Sequence, residues 1–159
     1  MSQQTKKLSL IGFSGDFDKA IALFTLASGA AAVGYEVNIF FTFWGYNAIK
    51  KIKGRSTQGT GFLGRFFNFL MGGLNNLPLS RLNFLGLSPI LMTHMMKKQN
   101  VATLQELMDA SIALNVNFYA CEMSKVIMGT KTDDFINIKE TLGVAKFLKL
   151  AEGGQVLFI

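Results

Sequence analysis

The chain has 159 residues, half of them hydrophobic and only 16% charged, with a formal net charge of +6. That length suits one domain spanning residues 1–159. The apolar excess leaves three settings: a well-buried parallel sheet, a sticky oligomer surface, or contact with a membrane. A single cysteine excludes an internal disulfide, and a single histidine leaves no Cys/His cluster for zinc, so no metal is expected and a reducing cytoplasm is the natural setting.

Met1 to Lys7 is polar and runs straight into apolar sequence, so no secretory signal is expected. Lys7 to Phe13 reads as the first strand. Ser14-Gly15-Asp16 follows as a turn, with Asp16 as a helix N-cap. The next helix places Phe17, Ala20, Ile21, Phe24, Ala27 and Ala31 on one face at spacings of three and four, and Gly34 ends it as a left-handed cap. Its uncharged run from Ala20 to Tyr35 is shorter than the roughly 18 to 20 residues a spanning helix needs, and it holds Gly29 and Gly34. Glu36 to Thr42 is the second strand, broken by Phe43-Trp44-Gly45. Strand, helix and apolar strand in this order form a βαβ unit.

Residues 54–100 read as an insertion rich in Gly, Asn, Phe, Leu and Met, too apolar for a structureless loop. Short helices are expected there, including Gly64 to Met71 and Pro89 to Lys98. Gly59-Thr60-Gly61-Phe62-Leu63-Gly64 spells the dinucleotide fingerprint but closes no strand and lacks the acidic residue about 20 positions on, so it is rejected. No acidic residue lies between Glu36 and Glu106, while eight Lys and Arg do. That segment carries +8 and leaves −2 for the remainder. Such asymmetry suits an anionic partner (an acidic protein, a lipid surface or nucleic acid) or a solvated basic face, and of these a nucleic acid is not the expected partner.

Thr103 with Glu106 three residues later forms a capping box, and Leu104, Leu107, Met108, Ser111 and Ile112 make that helix's inner face. Val116 to Ala120 reads as a buried strand, Met123 to Met128 as helical, with Gly129 closing it. Between them lies Cys121. Thr132 caps a short turn, a helix runs from about Glu140 to Glu152, and Gln155 to Ile159 is a final strand. Repeated strand–helix alternation implies a mostly parallel sheet covered on both faces.

A thiol at a strand-to-helix junction sits where open α/β sheets bind ligands, and at a helix N-terminus that favours a thiolate. The N–H groups of Met123 and Ser124 and the Ser124 hydroxyl are the candidate stabilisers. Gly15, Asp16 and Trp44, following strands one and two, are candidate pocket walls. His94 is a candidate base with no positional tie to Cys121. A free cysteine is equally at home as a small buried hydrophobe, and Trp44 as a packing residue beneath the insertion; these alternatives stay open.

Several stretches resemble one family: Ser14-Gly15-Asp16-Phe17-Asp18-Lys19-Ala20, Phe40-Phe41-Thr42-Phe43-Trp44-Gly45, Leu77-Pro78-Leu79-Ser80, Ala120-Cys121-Glu122-Met123-Ser124, Met128-Gly129 and Leu157-Phe158-Ile159. They are similar to the DsrE/DsrF/DrsH-like sulfur-relay proteins, in the branch with a long mid-chain insertion. The resemblance implies a flavodoxin-like three-layer α/β domain, no cofactor, and Cys121 as the cysteine that accepts sulfane sulfur as a persulfide. It implies sulfur donor and acceptor proteins or small thiols as partners, because no second cysteine is present to resolve the persulfide, and a homo-oligomer. Glu122 departs from an ideal thiolate site and is expected to face solvent. The alternative is a non-catalytic module whose insertion docks a membrane surface or a partner through Arg65, Lys97 and Lys98.

Overall fold

The computed structural model describes residues 6–51, 62, 65, 66, 73, 74, 77–80 and 87–159. Five parallel strands form one sheet: β1 (Lys7–Gly12), β2 (Glu36–Phe41), β3 (Asn117–Cys121), β4 (Ile138–Leu142) and β5 (Gln155–Phe158). Their order is β4-β3-β2-β1-β5. The chain steps outward from β1 to β4 and then jumps back to the far side of β1. Helices α1 (Phe17–Ala32), α2 (Leu87–Lys98), α3 (Leu104–Ala113), α4 (Glu122–Ile127) and α5 (Val144–Ala151) connect and flank the strands. The parallel sheet flanked by helices is what the alternation of strand and helix patterns implied, and its architecture is the flavodoxin-like one that the resemblance implied.

Alternate residues along each strand feed two cores. Leu8 and Leu10, Ile39 and Phe41, and Phe118 and Ala120 point to the side where α1 and α3 pack. Phe40, Tyr119, Cys121 and Leu142 point to the other side and meet Phe147 of α5. Helix α1 buries Phe17, Ala20, Leu23, Phe24 and Ala27. Ile21 and Ala31, expected on that face, are only partly buried against it. Gly34 takes φ +84°, the left-handed geometry that ends the helix. Thr103 and Glu106 form the expected reciprocal capping box on α3.

Two boundaries differ from the sequence reading. The stretch read as one helix from Glu140 contains a strand, β4, then Gly143 as N-cap, then α5. β4 lies at the sheet edge, so its Lys139 and Glu140 stay exposed, and a register shift against β3 sends Ile138 and Leu142 to opposite faces, so no strand alternation is readable there. Lys131, not Thr132, is the N-cap of the short 3-10 turn Thr132–Asp134. The expected helix Pro89 to Lys98 is α2; the expected helix Gly64 to Met71 lies outside the described residues apart from Arg65 and Phe66.

Candidate functional site

β3 delivers Cys121 to the carboxyl edge of the sheet, beside the end of the central strand β2. Cys121 is the N-cap of α4, with φ −71° and ψ 120°, and is only 5% exposed. The residue after β2 is Thr42, and the third residue into α4 is Ser124; their hydroxyl oxygens lie 2.7 Å apart, both residues buried. Burial pushes the thiol pKa up. The hydroxyl and N–H of Ser124, the hydroxyl of Thr42 and the N–H of Met123 pull it down and prevail, so the thiol lies below its usual value. Of the two hydroxyl protons, one is spent between Thr42 and Ser124, which leaves the other for the sulfur. That chain polarises toward an anion.

The turn that carries Thr42 is itself constrained. Phe43 adopts φ +43°, a strained region for an aromatic side chain. Phe43–Ile49 forms a 3-10 helix laid across the strand ends. It can lie there because residue 45 is glycine: a Cβ at Gly45 would come 2.0 Å from the Gly12 carbonyl oxygen. At the next residue, the Tyr46 hydroxyl donates to the Cys121 carbonyl at 2.5 Å, while its ring stacks on Phe135 at 4.6 Å between centroids. Tyr46 is fully buried. Burial is the main cause that drives its pKa far up, so it stays a phenol and a donor.

The residues proposed from sequence fall into three places. Met123 and Ser124 reach the sulfur, Met123 through its backbone while its side chain is 59% exposed. Glu122 is exposed, as expected. Gly15 and Trp44 meet each other over β1, where a Cβ on Gly15 would come 3.0 Å from Trp44, and Asp16 accepts from Ser14 at 2.8 Å. None of the groups that shift the Cys121 thiol comes from these three residues. His94 is exposed on α2 and lines a cavity of about 750 Å³ with Phe17, Thr93, Lys97 and Leu104, of which Phe17 and Leu104 belong to the core on the other face of the sheet from Cys121. Thr42 and Tyr46 were not singled out from sequence. Thr42 had a readable signal, a hydroxyl at the carboxyl end of the strand before the Trp-Gly break; Tyr46 had none. Asn47, also enclosed, leaves both amide atoms without a partner among the described residues.

Among the described residues no group of three His, Cys, Asp or Glu could hold a metal ion. Nor is any described helix long and apolar enough to cross a membrane.

The sequence profile of the DsrE/DsrF/DrsH-like family matches residues 4–159. The chain is 40% identical over 161 residues to an uncharacterized protein, YrkE, of Bacillus subtilis (strain 168), covering 100% of both. It is 33% identical over 151 residues to the sulfur carrier protein DsrE2 of Allochromatium vinosum, covering 93% of this chain and 94% of that relative.

Proposed function

This chain belongs to the DsrE/DsrF/DrsH-like family, and from that premise we propose that it is a sulfur carrier, or sulfurtransferase, that holds sulfane sulfur on Cys121. The observation that carries the reading is the Thr42–Ser124 hydroxyl pair and the first N–H groups of α4 converging on one thiol. In the loading step, the Cys121 thiolate attacks the terminal sulfur of a donor persulfide. A new S–S bond forms to Sγ, the donor's S–S bond breaks, and the donor leaves as a thiolate that takes up a proton. In the unloading step, an acceptor thiolate attacks the terminal sulfur and Cys121 leaves. Neither step consumes an oxidant. Cys121 is a good leaving group in the second step for the same reason that it is a thiolate in the first. Low exposure slows its further oxidation.

Donor and acceptor are thiols on proteins or small molecules. Intact-mass measurement after exposure to a small persulfide donor should show one added sulfur, absent in Cys121→Ser and returned on adding an acceptor thiol. Unmodified protein under conditions that load an unrelated persulfide carrier defeats the reading.

A second reading rests on α2, whose Ile90, Leu91 and Met95 are 65%, 62% and 53% exposed beside Lys97 and Lys98. Here the insertion docks an anionic membrane surface. Flotation with anionic liposomes, lost in Lys97→Glu and Lys98→Glu, together with a thiol unreactive in the folded protein, favours it over the relay.

A further inference from the structure

The two edges of the sheet are built differently. β4 reads Ile-Lys-Glu-Thr-Leu, with Lys139 and Glu140 exposed and Glu140 paired to Lys146 of α5. Charges on an edge strand discourage another strand from adding to it. β5 reads Gln-Val-Leu-Phe, has no charge, and pairs with β1 alone among the described residues. All four of its residues are exposed.

Both flanks of that unprotected edge are apolar. Leu157 shares the sheet face of Leu10 and opens onto a groove of about 340 Å³ against α1, lined also by Leu26 and Val33. Leu26, Val33 and Leu157 are 43%, 73% and 41% exposed. Val156 and Phe158 point to the opposite face, the side covered by α5, and are 44% and 67% exposed; Leu148 of α5 is 53% exposed.

We propose that the β5 edge is a dimer interface, occupied by β5 of a second copy of this chain running antiparallel across a two-fold axis. The two sheets then join into one of ten strands. A second copy fits this surface for three reasons. The free N–H and C=O groups of a strand edge are satisfied best by another strand. A two-fold axis sets the same uncharged apolar strand on both sides, so no unpaired charge is buried, and the assembly closes rather than growing into a fibre. The six exposed side chains named above offer on the order of 600 Å² per copy, so the pair reaches roughly the 1,200 Å² at which specific interfaces begin. Exposed apolar surface of this extent lies at the upper end of what monomers carry and often marks an interaction site. The interface leaves the thiol open, because β3 lies three strand spacings from β5, about 14 Å.

Light scattering or sedimentation equilibrium on the full chain at tens of micromolar should give twice the 17.5 kDa chain mass. Leu157→Lys and Phe158→Lys, each shown folded by circular dichroism, should weaken the dimer at least tenfold. Leu91→Lys on α2 and Cys121→Ser should leave it unchanged. As a second arm, Leu157→Cys in the Cys121→Ser chain should cross-link to a covalent dimer on mild oxidation, whereas Leu91→Cys in the same chain should not. A monomeric wild type, or a dimer split by Leu91→Lys and not by the β5 variants, overturns the proposal. The sulfur-loading assay is scored independently, since the mass of the unloaded chain does not depend on Cys121.

Discussion

The hydroxyl oxygens of Thr42 and Ser124 meet at 2.7 Å although 82 positions separate them in the chain. The parallel pairing of β2 with β3 brings them together, since Phe41 aligns with Ala120 and each chain then turns over the same sheet edge. The common neighbour of the two hydroxyls is the Cys121 sulfur, whose thiolate both stabilise.

Thr42→Val and Ser124→Ala should each raise the thiol pKa. A hydrogen bond to a charged group is worth about 1.5–3 kcal/mol, so the variant that removes the hydroxyl donating to the sulfur loses at least about tenfold in thiolate fraction below the pKa, and the variant that removes its neighbour loses less, because only one proton of the pair reaches the sulfur. A more basic thiolate is also the better nucleophile, with a Brønsted slope of about 0.4–0.5, so at a pH below both midpoints the alkylation rate drops by only about three- to fourfold for each tenfold loss of thiolate. The full shift shows in the pH profile, whose midpoint moves up in both variants. A midpoint that stays in place in both would mean that the hydroxyls do not act on the sulfur.

Tyr46→Phe should keep the stack on Phe135 and remove the donor to the Cys121 carbonyl. Losing this buried hydrogen bond costs about 0.5–1.5 kcal/mol, since the carbonyl of an N-cap residue still faces the first N–H of its helix. The melting temperature should fall accordingly, by a few degrees for a chain of this size. The carbonyl belongs to the peptide that opens α4, so the alkylation midpoint should also rise. A variant as stable as wild type would show that the phenol is not holding that peptide.

How much of this was legible in the sequence depends on whether a signal is local. The βαβ start, the capping box at Thr103 and the placement of Cys121 between strand and helix all rest on residues within a few positions of each other, and all are seen. β4 was missed because an edge strand carries charges that a central strand would not, and Lys139 and Glu140 read as helix surface. Tyr46 was invisible for a different reason. Its partner lies 75 positions away, and nothing about a tyrosine after Trp-Gly indicates that its hydroxyl crosses a sheet to reach it. Trp44 and Gly15 were correctly placed at the carboxyl edge, yet the strand order sets them over β1 rather than beside β3.

Phe147→Ala should loosen the lid over the sulfur. The Phe147 ring stacks on Phe40 at 4.5 Å and closes the small core that also holds Cys121 and Leu142. Truncating a buried phenylalanine costs about 3–5 kcal/mol, so the variant needs a melting control. At temperatures where it stays folded, Cys121 should alkylate faster than in wild type with an unchanged pH midpoint, because access changes and the hydrogen bonds do not. Slower alkylation, or a displaced midpoint, would show that α5 orders the thiolate site instead of covering it.

Lys50 gives the fold a pH dependence of its own. It is 8% exposed and sits at the end of the 3-10 helix, bridged antiparallel to Phe135. Burial pushes its pKa down from 10.5 to about 8, with the Asp134 carboxylate opposing. The folded chain therefore binds fewer protons here than the unfolded chain between about pH 8 and 10.5. The sign follows: relative to Lys50→Met, which cannot titrate, the wild type should be at its most stable above the unfolded value. It should lose ground as pH falls through that window, and below it the difference should be flat, since the charge is then buried at the same cost throughout. Urea unfolding of both proteins across the window measures this directly, and parallel stability curves would mean that Lys50 stays charged in the folded state without penalty.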